Sequence, residues 1–261
     1  MSNQRDQRVA RAEQMRKDRE RAEKRQRNLV TLGILAAVVA LIAIGAFAVN
    51  SANSKREPNK KLIAPAGATK DYGVLYRPQD AGGKPSRDAV RVVLYEDLQC
   101  PICQRFEAAN GQYLGAAVKK GDIEIEYRFV HFLDLNGSSP NEYSGRAANA
   151  VLCTRATSGP KAFKTLHDLL YANQPEEKTL GPNDNALVES AVSAGAKKAK
   201  IESCILTHRY LPWLDKATDA MGPHKVTGTP TVRINGKDVT GALGIPTMVD
   251  IQKAVEAAKK G

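Results

Sequence analysis

Cys100 and Cys103 enclose Pro101 and Ile102, and two thiols at this spacing can close a reversible disulfide. The apolar run Val90 to Leu94 lies just before the pair and an apolar-periodic stretch follows it, so the thiols open a helix at the end of a strand. A thiol placed there faces unpaired backbone N–H groups and the positive end of the helix dipole. Both favour thiolate over thiol and lower a cysteine pKa from about 8.5 toward roughly 3.5 to 7.5. The chemistry indicated is thiol–disulfide exchange, in which a thiolate attacks one sulfur of a disulfide and expels the other.

Competing chemistries find less support. A zinc site needs four ligands at suitable spacing, yet the chain has one Cys-x-x-Cys, and His131, His167, His208 and His224 form no i, i+4 pair. No metal site is expected. Each histidine reads as a surface or satisfied core residue, and only His131, near the end of the second strand, falls near the active edge. There is no Gly-rich phosphate loop, no Gly-x-Ser-x-Gly and no His-Glu-x-x-His, so the thiols carry the chemistry without a cofactor.

The flanking pattern predicts how the thiols are held. Tyr72 to Tyr76 reads as a short strand and Val90 to Tyr95 as a buried, parallel one. Pro101 suits the first turn of a helix running to about Lys120, and Gly121 suits its C′ position. Ile123, Ile125, Tyr127 and Phe129 then alternate with Glu124, Glu126 and Arg128 as a second long strand, which completes a βαβ unit. Near the other end, Thr231 to Ile234 and Asp238 to Thr240 flank the hairpin signal Asn235-Gly236. Thr247 to Asp250 looks like a capping box, opening a helix with Met248, Ile251 and Val255 on one stripe. Between the halves, about Ser144 to Met221 is helical in five segments: Ala147 to Thr154, Ala162 to Tyr171, Ala186 to Ala194, Ala199 to Leu206 and Leu211 to Ala220. With few aromatic residues in the chain, the core is expected to be aliphatic.

In Tyr95-Glu96-Asp97-Leu98-Gln99-Cys100-Pro101-Ile102-Cys103, in Gly228-Thr229-Pro230-Thr231-Val232 and in this order of elements, the sequence resembles the membrane-anchored DsbA-like thiol-disulfide oxidoreductases, most nearly the actinobacterial envelope type. The resemblance implies an α/β, thioredoxin-like fold over 70–261 with a helical insertion at about 140–222. It implies a cis Thr229-Pro230 bond across from the dithiol, with Thr229 offering backbone groups to an incoming peptide and Pro230 shielding the sulfurs from stray metal ions. It also implies a second cysteine pair in the helical domain, the place of Cys153 and Cys204. Read from the residues alone, these two are a structural disulfide, two buried reduced thiols, or partners of Cys100 and Cys103. Two departures stand out. Strongly oxidising relatives carry His between the cysteines, where this chain has Pro101-Ile102. The buried acid that many thioredoxin-fold proteins place six residues before the first cysteine is here Leu94. Glu96 and Asp97 lie closer to the thiols and serve either as a substitute proton relay or as loop carboxylates and a helix cap.

Leu29 to Val49 is uncharged over 21 residues, enough to span a hydrocarbon core of about 30 Å as a single transmembrane helix. Ten Lys or Arg against five Asp or Glu precede it, which predicts a cytoplasmic leader at 1–28 and an extracytoplasmic remainder. A cleaved signal peptide ending at Ala46-Phe47-Ala48 is the alternative. Residues 50–69 read as a tether. The net charge of +11 concentrates on both flanks of the apolar segment and leaves only +3 for 62–261, which excludes a nucleic-acid partner. The resulting expectation is a donor of the Cys100–Cys103 disulfide to exported or unfolded proteins with reduced cysteines. The resemblance implies reoxidation by a quinone-linked membrane oxidase, DsbB-like or of the vitamin K epoxide reductase type. A reductase or isomerase of the same fold, or a non-enzymatic tethered chaperone or binding module with a structural disulfide, are the alternatives.

Overall fold

The computed structural model describes residues 62–241 and 244–260. The leader, the apolar segment 29–49 and the tether up to residue 61 lie outside them. Among the described residues no helix is long and apolar enough to cross a membrane.

The chain forms β1 (Val74–Tyr76), a 3₁₀ turn (Pro78–Ala81), β2 (Val90–Glu96), α1 (Pro101–Lys120), β3 (Ile123–Phe129) and a short α2 (Phe132–Leu135). The helical insertion follows as α3 (Tyr143–Ala172), α4 (Asp184–Ser193), α5 (Lys198–Leu206) and α6 (Leu211–Asp219). The chain then returns through β4 (Thr231–Ile234), β5 (Lys237–Asp238) and α7 (Met248–Lys260). The strand order is β1-β3-β2-β4-β5. β2 and β3 run parallel, and β2 pairs with β4 antiparallel. β2 therefore lies at the centre, and the turn that leaves its C-terminal end, Glu96 to Gln99, is completely buried. The C-terminal edge of a parallel strand pair is where open α/β sheets place their chemistry.

α1 buries Cys103, Phe106, Glu107, Asn110, Leu114, Ala117 and Val118, one stripe at i, i+3 and i+4 spacing. Gly121 ends it in the left-handed region at φ 88°, its N–H bonded to the Val118 carbonyl. α3 consists of two helical stretches that meet at a non-helical residue, as the two separate segments in the sequence suggest. The bend falls at Gly159 (φ 83°, ψ −177°), followed by Pro160, which has no N–H for the helical ladder. Cys153 of α3 and Cys204 of α5 are joined in a disulfide.

Smaller differences from the sequence reading have local causes. Tyr72 has a positive φ of 62° and turns the chain so that its ring meets Trp213 edge-on at 5.1 Å, and the first strand starts only at Val74. Asn235 and Gly236 both have positive φ, the signature of a two-residue I′ turn, so β5 resumes at once at Lys237. Thr247 and Asp250 do exchange capping bonds, but Met248 is exposed while Ile251 and Val255 carry the packing of α7. The core is not uniformly aliphatic either. Tyr127, Phe129, Phe163 and Tyr171 gather around His167, with ring centroids 4.9 to 6.1 Å apart where they touch.

The Cys153–Cys204 link closes a loop across a separation of 51 residues, which on the chain-entropy account stabilises the domain by about 4 kcal/mol. Replacing both cysteines by serine lowers the unfolding free energy by that order in urea titrations, with Cys100 and Cys103 chemistry retained.

Candidate active site

Cys100 occupies the N-cap of α1 with extended backbone angles (φ −73°, ψ 118°), and Cys103 lies one turn in. Both are free thiols. Cys100 retains 5% of its surface exposure and Cys103 none, so only the first sulfur can be approached from outside. The Thr229–Pro230 bond is cis. β4 follows at once, with Thr231 opposite Tyr95, and this register brings the Thr229 carbonyl oxygen to 3.5 Å from Cys100 Sγ.

The two sulfurs are electrostatically unequal. The Cys103 thiol donates a hydrogen bond to Cys100, and this outweighs burial to pull the Cys100 thiol down to about 6. The N–H groups of Cys103 and Ile102 help. The positively polarised helix start thus takes the place of the missing histidine. Cys103 is pushed well above the ordinary thiol range, first by burial, then by its bond to Cys100 and by the nearby charges of Cys100 and Glu96. One sulfur is poised as thiolate and the other holds its proton.

Asp97 is the anchor of the turn. Its carboxyl accepts from Ser144 Oγ at 2.6 Å, from the Gln99 N–H at 2.9 Å and from the Leu133 N–H at 3.2 Å. Burial raises it to about 7 against these three donors. Three glutamines then fasten the turn to the insertion. Gln174 Nε2 donates to the carbonyls of Leu98 and Cys100, both at 3.1 Å. Gln99 Nε2 donates to Glu176 and Thr179 carbonyls, and Gln104 Nε2 to that of Tyr171. The helical insertion therefore holds the backbone that presents the dithiol. Nothing in the sequence marked these glutamines, because each acts across about 70 to 80 residues.

Glu96 is fully buried with Oε2 3.1 Å from His167 Nε2. Glu107 lies in the same cluster. Burial raises Glu107 to about 8, aided by the charge of Glu96. Burial alone would lower His167, but hydrogen bonds to Asp168 and Glu96, with the charges of Glu96 and Glu107, lift it to about 9. His167, not His131, is thus the histidine behind the dithiol. His131 is bracketed by Asp134 at 3.2 Å and Asp215 at 3.1 Å, and braces α2 against α6. The available signal was positional. Glu107 falls four residues after Cys103 in an apolar stripe, and His167 sits between Phe163 and Leu170 in another.

Residues 83–257 match the sequence profile of the family described as Thioredoxin. No curated protein sequence matches the chain. Among solved structures, the oxidised DsbA of Mycobacterium tuberculosis is 27% identical, with 71% of this chain and 99% of that one covered at a TM-score of 0.55. The reduced disulfide bond oxidoreductase DsbG of the same organism is 26% identical, with 77% and 90% covered at 0.54. MdbA, a thiol-disulfide oxidoreductase of Corynebacterium diphtheriae, shares the fold at 24% identity, with 77% and 97% covered at 0.58.

The Cys100 thiol lies near 6 in the folded state and at an ordinary 9 when unfolded, so it is depressed on folding. Its stabilisation of the reduced protein is complete above pH 9 and is lost as pH falls through 6, about 4 kcal/mol in all. Asp97, Glu107 and His167, all raised on folding, titrate in the opposite sense over the same range, so the Cys100 contribution is read as a difference: the gap in urea-unfolding free energy between the reduced chain and its Cys100→Ser variant widens from pH 5 to 9.

Proposed function

The chain belongs to the thioredoxin family, and on that premise we propose that it is an extracytoplasmic thiol-disulfide oxidoreductase that donates its Cys100–Cys103 disulfide to exported proteins. The observation that carries this reading is the inequality of the two thiols, a stabilised thiolate at Cys100 and a buried, proton-holding Cys103. A substrate thiolate attacks Cys100 Sγ; the Cys100–Cys103 bond breaks and a mixed disulfide forms. Cys103 departs with the bond electrons and takes a proton. A second substrate thiolate attacks the substrate sulfur of the mixed disulfide and expels Cys100, whose stabilised thiolate is the good leaving group. The substrate loses two electrons and two protons. The protein gains the electrons and one proton on Cys103, and the second proton passes to solvent.

Of the two acids read from the sequence, Asp97 works by fixing the turn. Glu96, whose charge bears on Cys103, is the one suited to exchange a proton with it. Thr229, beside Cys100 and ahead of the cis Pro230, offers backbone groups to an extended peptide. The apolar segment 29–49 tethers the domain outside the cell membrane, and a quinone-linked membrane oxidase restores the disulfide. The likeness to the mycobacterial DsbA and DsbG structures supports disulfide handling.

The expected reduction potential, from equilibration in glutathione buffers, is about −120 to −180 mV. A value near −270 mV would reassign the protein as a reductase. Cys100→Ser abolishes oxidation of a reduced model protein, Cys103→Ser traps mixed disulfides, and Pro230→Ala accumulates substrate adducts in a folded domain.

A further inference from the structure

Behind the resolving thiol lies a set of side chains that the exchange reaction does not fully use. Glu107 follows Cys103 by four residues on α1, so the two share a helix face. Glu96 reaches the same place from the end of β2, and His167 from α3. One ligand atom from each lies within 4.8 Å of the other two, and all three residues are buried.

Two independent features separate this cluster from an ordinary acidic group. Glu96 Oε1 and Glu107 Oε1 are buried without a hydrogen-bond partner, a state that costs about 1 to 3 kcal/mol for each group and more when it is charged. His167 has the arrangement typical of a metal-ligating imidazole. Its Nδ1 lies 3.0 Å from Asp168 Oδ1, while Nε2 faces the carboxylates. Lys164 in turn holds Asp168.

We propose that Glu96, Glu107 and His167 bind one divalent first-row metal ion of the zinc class. Two carboxylates neutralise its charge, and the single imidazole selects against calcium and magnesium, which take oxygen ligands in larger number. Tetrahedral ligands about 2.1 Å from zinc stand roughly 3.4 Å apart, and the Nε2 to Oε2 spacing is already 3.1 Å. An approach exists: a cleft of about 470 Å³ between α1 and α3 is lined by Glu107, Gly111, Lys164, Asp168 and Tyr171. The cleft meets the cluster at Glu107, while Glu96 and His167 lie buried behind it. A Cβ at Gly111 would come within 2.9 Å of Glu107 Oε2, so the glycine leaves that carboxylate room in its present position. The ligands come from three elements, which is why no ligand spacing is visible along the sequence. The ion adds positive charge near Cys103 and favours its thiolate. That consequence rests on the exchange reaction proposed above, whereas binding itself does not.

The test is zinc titration of the purified full-length chain by calorimetry, stripped with chelator and with Cys100 and Cys103 oxidised so that no thiol competes. Cobalt absorption spectra of the same sample report the ligand set. One equivalent of zinc binds, Glu107→Gln and His167→Asn each weaken it by about 100-fold or more, and Asp168→Asn weakens it by about 10-fold. Glu256→Gln, on the exposed side of α7, leaves it unchanged. Absence of binding and of a cobalt band in the unmodified chain overturns the site, whatever the fate of the variants. So does zinc uptake that persists in both Glu107→Gln and His167→Asn. Because the thiols are oxidised throughout, failure of the site is read separately from failure of disulfide donation.

Discussion

The hydrogen bond from the Cys103 thiol to Cys100, made at the start of α1, is the interaction on which the remaining design turns. It makes two chemically identical side chains three positions apart into an acceptor and a donor. The acceptor is stabilised further by the free N–H groups of the helix start. The donor is sealed in the interior, where it keeps its proton. Everything around the pair either holds this geometry or compensates for its burial.

Holding it falls to the insertion. A turn made of Glu96, Asp97, Leu98 and Gln99 is wholly buried, so its polar atoms must find partners inside the protein. Ser144, Gln174 and the carbonyls of Glu176 and Thr179 supply many of them, all from the helical segment. The insertion is thus part of the site's framework, and the Cys153–Cys204 bond ties α3 to α5 within it. His131, Asp134 and Thr218 add a second brace, linking the end of β3 to α6.

The parts of this architecture legible in the sequence are those governed by local rules. α1 runs from Pro101 to Lys120 because proline suits a first turn and Gly121 a left-handed end, and β3 spans the alternating run Ile123–Phe129, although Glu126 and Arg128 on its polar face are buried as an ion pair rather than wet. The Cys-x-x-Cys and Thr-Pro motifs marked the two sides of the site. What remained hidden depends on distant pairs. The role of Asp97 needs Ser144 and Leu133, and that of Gln99 needs residues near 176. Glu107 lies in the buried stripe beside Cys103, a position that only the packing of the helix reveals. His131 drew attention through its place near a strand end, whereas His167, reached only through the fold, stands behind the dithiol.

Cys103 has no exposed surface, and Cys100 keeps a small window. Electron traffic therefore passes through a single sulfur atom. Under the proposed function, a substrate and the agent that reoxidises the pair must use the same gate in turn, and no ternary complex joins all three through sulfur. The kinetic form that follows is double displacement: each partner leaves before the other arrives, and an excess of either slows the other by occupying the one accessible atom.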